Sequence, residues 1–362
     1  LDSHHPRTKD KWKIYPMYDW THGESDYIEQ VTHSLCTLEF KPHRDLYDWF
    51  LDIVVDPKKI RPKQREFARL NLSHTITSKR KLLSLVQNNY VSGWDDPRMP
   101  TISGLRRRGY SPDALKKFVA TAGVAKRENI IEMSLLEFCV REDLNKKCNR
   151  LMVVQSPIKI TLTNYEKQEE TLSLQNNPEN NDAGFRDVMF SKDLYIERED
   201  FMEDPPKKFF RLSVDNEVRL KGAYIIKANK TIKDNKGNIT EIECTYDPKS
   251  KSGSGSPESQ RKVKATLHWV SQPHSVPVEI REYDRLFNHP SPGDFDSSEL
   301  HKILNEKSVK HYNGFGEKIL KESSAGDTFQ FQRKGYYIKD KDSLEDKHIF
   351  NKTVSLRDNW KK

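Results

Sequence analysis

The spacing of apolar residues changes near residue 150, so the two parts of the chain predict different secondary structure. Before this point apolar side chains recur at three- and four-residue intervals, as Leu46, Trp49 and Phe50 do on one face of a predicted helix over 43–53. Two more helices are predicted from the same spacing and from their capping residues, over 111–122 and 134–147. The segment 93–149 is therefore expected to be helical.

Beyond residue 150, apolar and polar residues alternate, which is typical of half-buried β-strands. Predicted strands cover 158–163, 218–221, 224–226, 262–270, 276–280 and 328–331. Asn235-Lys236-Gly237-Asn238 lies between two strand-like runs and predicts a hairpin turn. Many short strands separated by turns favour barrels or sandwiches.

The first ninety residues predict an α/β arrangement. A short strand is expected over 12–18, followed by the polar stretch 19–26, and ligands of α/β proteins bind beyond the carboxyl ends of strands. A helix is expected over 25–36 and a helix-like segment over 62–70.

Composition narrows the class of protein only moderately. The chain has 362 residues, a net charge of +8 and a pI near 9.0, which suggests two or three domains and permits a nucleic-acid partner without requiring one. Its four cysteines form no C-x-x-C pair, and His22 and His33 have no third ligand at metal spacing, so no metal site is predicted. A reducing, cytoplasmic setting and no membrane span are expected.

Three consecutive cations follow a hydroxyl pair in Thr77-Ser78-Lys79-Arg80-Lys81. A basic segment of this kind can offer ammonium groups and backbone N–H groups to a polyphosphate. From the residues alone, a solvated turn is the commoner interpretation, and both interpretations stay open.

Seven blocks of the chain together resemble the glutaminyl-tRNA synthetase family, within the class I aminoacyl-tRNA synthetases. Related glutamyl enzymes share the architecture but typically differ in the first two blocks. The blocks are 14–19 (Ile-Tyr-Pro-Met-Tyr-Asp), 32–40 (Thr-His-Ser-Leu-Cys-Thr-Leu-Glu-Phe), 46–49, 93–110, 268–270, 277–287 and 354–358.

The resemblance implies a multidomain fold of α/β, helical and β parts. It divides the chain into the tail of an acceptor-stem-binding insertion (1–13), the second half of a Rossmann-type catalytic domain (14–92), a helical connector (93–149) and two anticodon-binding β-barrels (150–362), the distal barrel, roughly 190–280, being inserted in the proximal one. The match corresponds to the family's C-terminal two-thirds, and no HIGH-type His motif is found. We therefore expect the chain alone to bind tRNA without full catalysis.

The family's reaction implies ATP with Mg²⁺ as a substrate, no tightly bound cofactor, glutamine and tRNA(Gln) as partners, and a monomer. Ile76–Arg80 is similar to the family's KMSKS loop, with Thr77 in place of Met, and implies that Lys79 stabilises the transferred phosphates with support from Ser78 and Arg80. The same resemblance assigns glutamine binding to Tyr18, His22 and Gln64, and the adenosine part of ATP to Arg69 and Leu70.

For the anticodon, the resemblance points to a set of cations and one glutamine, which is the chemistry that reads splayed bases by hydrogen bonds to their edges. The set is Arg150, Arg211, Arg219, Lys221, Gln330 and Arg333. Arg98 and Arg106–Arg108 are expected to contact phosphates on the inner side of the tRNA. Two alternatives are a non-catalytic tRNA-binding module and a glutamyl enzyme of the same subclass.

Overall fold

The computed structural model describes residues 3–167 and 169–357, and these form two compact units. Unit 1 contains the described residues up to 73 together with 120–132, and unit 2 contains 74–119 and the described residues from 133 onwards. The predicted catalytic segment 14–92 is thus divided between the units after residue 73. The described residues do not include 1–2, 168 and 358–362. The first of these ranges belongs to the expected segment 1–13, and the other two belong to the expected segment 150–362.

Unit 1 combines two helices with two pairs of parallel strands: β1 with β2, and β3 with β4. Its elements are α1 (Tyr18–Ile28), β1 (His33–Thr37), α2 (Arg44–Val54), β2 (Lys63–Phe67), β3 (Asn71–Leu72) and β4 (Ile130–Ile131). Helix α1 packs against α2 at Gly23, where a Cβ atom would lie 3.0 Å from the ring of Tyr47. The absence of a side chain at Gly23 therefore allows the two helices to approach closely.

The predicted helix over 43–53 is confirmed by α2, but three other predictions for unit 1 are wrong. No strand covers 12–18, the segment 25–36 contains the end of α1 and most of β1, and 62–70 contains the strand β2. In α1 only Gly23 is buried, so no apolar stripe marks that helix. Strands β1 and β2 bury Ser34, Gln64 and Glu66 instead of apolar side chains, so an apolar alternation could not reveal them.

Unit 2 begins with helices that precede its sheets, and it holds one short helix later in the chain. They are α3 (Lys79–Gln87), α4 (Ile102–Arg108), α5 (Pro112–Ala122), which begins in this unit, α6 (Met133–Lys147) and α7 (Pro257–Gln260). The predicted helices over 111–122 and 134–147 are confirmed by α5 and α6.

Two seven-stranded sheets curl into barrel-like shapes, which confirms the predicted combination of α/β, helical and β-barrel parts. The second sheet comprises β5 (Asn149–Leu151), β6 (Val153–Val154), β16 (Val276–Tyr283), β17 (Val309–Gly316), β18 (Thr328–Phe331), β19 (Gly335–Lys339) and β20 (His348–Val354). The first sheet comprises β7 (Pro157–Leu162), β10 (Asp193–Glu197), β11 (Glu217–Leu220), β12 (Ile225–Lys233), β13 (Ile239–Tyr246), β14 (Thr266–Leu267) and β15 (Val270–Ser271).

The strands of the first sheet lie in the chain between β6 and β16 of the second. The first sheet begins at Pro157 and ends at Ser271, whereas the inserted barrel was expected to cover roughly 190–280. A hairpin of β8 (Glu170–Gln175) and β9 (Phe185–Phe190) packs on the first sheet, and its Leu172 and Phe190 share one core with Trp269. The predicted hairpin turn at 235–238 is confirmed between β12 and β13, with Gly237 at φ +81°. Of the predicted strand 262–270, only short pieces form, in β14 and β15.

Candidate active site and nucleic-acid-binding residues

In unit 1, the three residues predicted to bind glutamine lie around Phe40. The ring of Tyr18 lies 4.2 Å from the ring of Phe40, and the ring of His22 lies 4.9 Å from that of Tyr18. Gln64 donates from Nε2 to the backbone carbonyl of Phe40 at 3.0 Å. The structure therefore brings Tyr18, His22 and Gln64 into one neighbourhood, although α1 and β2 supply them from different parts of the chain.

A chain of polar contacts that the sequence did not reveal supports His22. Nε2 of His22 lies 3.3 Å from the carboxylate of Asp26, and this carboxylate also accepts a hydrogen bond from the hydroxyl of Ser34. The Ser34 hydroxyl in turn lies 2.7 Å from that of Tyr47. Nδ1 of His22 is buried and has no hydrogen-bond partner among the described residues. Asp26 therefore fixes the orientation of the imidazole and leaves Nδ1 as an unsatisfied group.

Gln64 is held by a buried carboxylate. Its Nε2 also donates to Glu66 at 2.9 Å, and Glu66 accepts two hydrogen bonds from the guanidinium of Arg44. The bond from Arg44 is the main reason that the pKa of Glu66 falls to about 2, against the opposing effect of burial. Glu66 therefore stays ionised at neutral pH and fixes the direction of the Gln64 amide.

The surroundings of Tyr18 are acidic. Burial, together with the nearby Cys36, Asp26 and Asp19, raises the pKa of the Tyr18 phenol above its ordinary value. Burial and the charge of Glu66 likewise raise the pKa of the Cys36 thiol, which lies on β1. Both groups are therefore neutral at physiological pH, and the Tyr18 hydroxyl can donate a hydrogen bond. The grouping of Cys36, Asp26 and Asp19 around Tyr18 is the second feature that sequence reasoning missed.

Arg69 and Leu70 lie between β2 and β3, where both are exposed. Arg69 forms an ion pair of 2.6 Å with Glu39, and both side chains are more than half exposed. Arg69 also lines a cleft of about 170 Å³, whose other lining residues are Thr37, Leu38, Glu39, Asn71 and Glu128. Leu70 is not part of that lining.

In unit 2, the KMSKS-like segment is anchored at both ends. Ile76 and Leu82 lie in one apolar core, and the Lys81 ammonium donates to the carbonyl of Gly293. The segment was expected as a loop, but Lys79 and Arg80 are the first residues of α3, directly after Ser78. Both cations are exposed and have no ion-pair partner among the described residues. Positive side chains at a helix N-terminus are unfavourable in the absence of an anion, because the N-terminal N–H groups are themselves positive.

The arginines at 98, 107 and 108, which were expected to contact phosphates, each have partners within unit 2, and these contacts favour a structural role instead. Arg98 is paired with the buried Asp96, and Arg107 donates two hydrogen bonds of 2.9 and 3.0 Å to the buried Asp340. Arg108 donates to three backbone carbonyls, those of Thr353, Pro97 and Tyr283. Arg106 alone of the four is exposed and without an ion pair among the described residues.

Arg150 and Gln330 meet at the parallel pair of strands β5 and β18. Arg150 donates to the side-chain oxygen of Asn145 at 3.0 Å, and Gln330 donates to the hydroxyl of Tyr336 at 2.8 Å. The Tyr336 hydroxyl donates to the same oxygen of Asn145 at 3.1 Å, so Arg150 and Gln330 belong to one network. Asn177 caps the end of α6 beside this network, and its Nδ2 is placed to donate to three backbone carbonyls.

Arg211 and Arg333 share one buried carboxylate. Asp200 is fully buried and accepts two hydrogen bonds from Arg333, at 2.6 and 2.7 Å, while Nη1 of Arg211 lies 3.1 Å from it. The structure therefore places these two predicted anticodon residues side by side. Asp200 itself was not predicted.

The other two predicted anticodon residues lie near the end of β11 but differ in their contacts. The guanidinium of Arg219 donates to the carbonyls of Ser250, Ser259 and Arg261, and so holds the loop around α7 against the first sheet. Lys221 is exposed and lies just beyond the end of β11, so the two residues do not share one strand as expected.

The described residues provide neither a cluster of metal ligands nor a membrane-spanning helix. No group of three or more His, Cys, Asp or Glu side chains there is arranged to hold a metal ion. Within the same residues, no helix has both the length and the apolar character that crossing a membrane requires.

Three family models match the chain, and they follow one another along it. The model described as "tRNA synthetases class I (E and Q), catalytic domain" matches residues 1–146. Two models described as "tRNA synthetases class I (E and Q), anti-codon binding domain" match residues 148–247 and 266–340. The matches therefore cover unit 1, the helices from α3 to nearly the end of α6, and every strand of the two seven-stranded sheets except β20.

Curated proteins from several bacteria are similar over the whole chain. The glutamine–tRNA ligase of Bradyrhizobium diazoefficiens is 50% identical over 364 residues, which cover 100% of this chain and 64% of that protein. The glutamine–tRNA ligases of Escherichia coli O157:H7 and of strain K12 / DH10B are each 50% identical over 359 residues, covering 99% of this chain and 64% of the relative. The chain thus spans about 64% of the length of these relatives.

Proposed function

The chain belongs to the class I tRNA synthetases of the E and Q type, and from this premise we propose that it functions in glutamine–tRNA ligation. The reaction is the ATP-dependent activation of glutamine, with Mg²⁺ accompanying the nucleotide, and its transfer to tRNA(Gln). The 362 residues contain no HIGH-type motif, so we expect the chain alone to bind tRNA without completing the reaction. The protein is proposed to act in the cytoplasm as a monomer.

The choice of glutamine rests on the surroundings of Tyr18. Its phenol is a neutral hydrogen-bond donor, and the side chains around it are acidic. The Tyr18 hydroxyl is protonated and can donate to a carboxamide oxygen, while Asp26 and Asp19 lie near enough to raise its pKa. A glutamate side chain would place a carboxylate beside these acids, which is unfavourable. Arg44, whose guanidinium shares the Glu66 carboxylate with the Gln64 amide, is already paired with that carboxylate. These contacts favour a neutral carboxamide over the alternative of a glutamyl enzyme.

For the phosphates of ATP, we propose Lys79 as the catalytic cation, with Ser78 and Arg80 assisting. Their support is the position of Lys79 and Arg80 in the exposed first turn of α3, where an anion would relieve the unfavourable clustering of positive charge. Lys81 is tied to Gly293 and is not assigned such a role. Arg69 and Leu70 are proposed to hold the adenosine part of ATP, and the small cleft beside Arg69 supports that role.

For the anticodon, we propose reading by Arg150, Gln330, Arg211 and Arg333, with Lys221 as an exposed cation nearby. Each of the four is positioned by protein hydrogen bonds, which lowers the entropy that binding must overcome. Arg219 was expected in this set, but its bonds to the loop around α7 favour a structural role. Arg106 is proposed as a phosphate contact.

The decisive experiment measures glutamine-dependent ATP–pyrophosphate exchange by the full-length gene product. Substituting Lys79→Ala should lower the exchange rate on the order of 100-fold or more, as expected for removal of a transition-state charge partner. Lys81→Ala is the matched control, because its ammonium is bound to Gly293, and it should retain exchange. Equal exchange in the wild type and Lys79→Ala would remove Lys79 from the mechanism. Charging of tRNA with glutamate in place of glutamine would establish the glutamyl alternative.

A non-catalytic tRNA-binding module is the second candidate, favoured by the absence of a HIGH-type motif from the 362 residues. A full-length gene product that binds tRNA(Gln) but supports no exchange with any amino acid would establish this candidate.

A further inference from the structure

The turn between β18 and β19 carries Arg333 in a left-handed conformation, with φ +67°. For a residue with a side chain this conformation is strained, so other contacts must offset its cost. The contacts that hold it are two charge-assisted hydrogen bonds to Asp200, which lies 133 residues earlier in the chain. Asp200 therefore fixes both the backbone and the side chain of Arg333.

The same carboxylate fixes Arg211. Nη1 of Arg211 lies 3.1 Å from Oδ1 of Asp200 and donates to the carbonyl of Glu199 at 3.0 Å. Asp200 has no exposed surface, while the side chains of Arg333 and Arg211 are 33% and 39% exposed. One buried acid therefore lies behind two partly exposed guanidinium groups.

The geometry decides which edge of each guanidinium remains available. Arg333 contacts Asp200 through Nη1 and Nη2, and its Nη1 also lies 3.4 Å from Nδ1 of His268. Its remaining fork is the edge formed by Nε and the outer hydrogen of Nη2. Arg211 uses Nη1, so its Nε and Nη2 make no hydrogen bond to the described residues. An edge with two parallel N–H groups matches the paired acceptors of a base.

Three neighbouring side chains, those of His268, Glu197 and Lys334, support the position of Arg333. Nε2 of His268 lies 3.3 Å from Glu197, and the ammonium of Lys334, the neighbour of Arg333, lies 3.2 Å from the same carboxylate. Glu197 and His268 are both 1% exposed. Nδ1 of His268 faces an N–H group of Arg333, and a guanidinium can only donate, so Nδ1 is the acceptor in this contact. The guanidinium of Arg333 is thereby confined from two sides.

We propose that Asp200 is a positioning residue that holds Arg333 and Arg211 from behind, so that their free Nε edges meet bases of the RNA. This inference rests on the proposed function, in which these arginines read the anticodon. Asp200 does not contact RNA itself, because it is completely buried. Its effect is on the discrimination between bases, since it fixes the direction of the two forks before binding.

The test compares the full chain with its Asp200→Asn variant, which keeps the shape of the side chain and removes its charge. Fluorescence anisotropy gives the Kd for an RNA stem–loop with the tRNA(Gln) anticodon and for loops with one anticodon base replaced. The ratio of these constants should fall roughly tenfold in Asp200→Asn, as expected for loss of one well-oriented fork, while binding to the replaced loops is retained.

Glu317→Gln is the matched control. Glu317 forms a buried pair with Arg186, with bonds of 2.7 and 2.8 Å, but contacts neither Arg333 nor Arg211. It should keep the wild-type ratio. A wild-type ratio in Asp200→Asn overturns the inference alone, whereas a wild-type protein that does not discriminate between loops overturns the proposed anticodon reading and the inference with it.

A second measurement does not depend on the folding of a variant. In nitrogen-15 spectra of arginine-labelled wild-type protein, a guanidinium held by two hydrogen bonds rotates slowly about its Cζ–Nη bonds. Slow rotation at Arg333 before RNA is added is the expected result. Fast rotation there in the free protein would overturn the inference.

Discussion

Arg150 and Gln330 are direct partners in the register of the parallel strands β5 and β18. Their side chains reach the same oxygen of Asn145, Arg150 directly and Gln330 through the hydroxyl of Tyr336. Gln330 is only 6% exposed, so its amide depends on this hydroxyl for a partner. Helix α6 and the second sheet are thereby joined at a pair of residues proposed to contact RNA.

Removing the Tyr336 hydroxyl should therefore weaken both the fold and the binding of RNA. In Tyr336→Phe the buried amide of Gln330 loses its acceptor, which costs about 1–3 kcal/mol. We expect a lower thermal unfolding midpoint and weaker binding of the matched stem–loop, both measured on the full chain. Tyr312→Phe is the control, because the Tyr312 hydroxyl has no hydrogen bond to the described residues, while its ring packs on the core of the second sheet. Equal midpoints in the two variants would contradict the proposed network.

Two adjacent arginines in α4 should affect different properties when they are removed: Arg107 the stability of the fold, and Arg106 the binding of RNA. Arg107→Ala leaves Asp340 buried without its cation, and loss of one partner of a buried pair costs about 3–5 kcal/mol. Arg106→Ala removes an exposed charge and should change stability by no more than about 0.5 kcal/mol. Arg106→Ala should instead reduce the salt dependence of RNA binding, since a phosphate contact releases a counterion.

Denaturant unfolding and binding titrations at several salt concentrations measure both effects. If Arg107→Ala leaves the fold intact and reduces the salt dependence as much as Arg106→Ala does, then Arg107 contacts a phosphate, as the sequence first suggested.

The elements predicted correctly from the sequence are those in which a local pattern and burial agree. Helix α2 shows an apolar face, and α5 begins at Pro112 and ends before Gly123, which has φ +69°. Strand β7 alternates half-buried and buried residues along its length. In each case neighbours in the sequence suffice to define the element, because the period of the side chains matches the period of the backbone.

The side chains whose contacts were missed depend on partners far away in the chain. Asp200 follows Arg198 and Glu199 and has the sequence context of a solvated acid, but its partner Arg333 lies 133 residues later. Arg107 belongs to an arginine run whose charge is visible, while its partner Asp340 lies 233 residues away. Charge can be read from sequence, whereas the pairing that buries the charge depends on tertiary structure. Tyr18, His22 and Gln64 were predicted as glutamine-binding residues only through the resemblance to the family.

The pH dependence of unit 1 should report the ion pair between Glu66 and Arg44. The pKa of Glu66 is lowered to about 2 chiefly by its hydrogen bond from Arg44. A carboxylate with a lowered pKa in the folded state stabilises the fold above its unfolded pKa, and this contribution is lost as the pH falls towards the folded value. Stability from Glu66 is therefore complete above about pH 5 and is lost between about pH 5 and pH 2.

Glu66→Gln should consequently destabilise unit 1 by about 1.5–3 kcal/mol at pH 6, the range for hydrogen bonds to charged groups, and by progressively less as the pH is lowered towards 2. Hydrogen exchange of the β1 and β2 amides, compared with the wild type at each pH, measures the difference. Glu29→Gln serves as the control, because Glu29 is exposed and its side chain has no partner among the described residues. A difference between Glu66→Gln and wild type that stays constant from pH 6 to pH 2 would show that Glu66 supports Gln64 by shape alone and not through its charge.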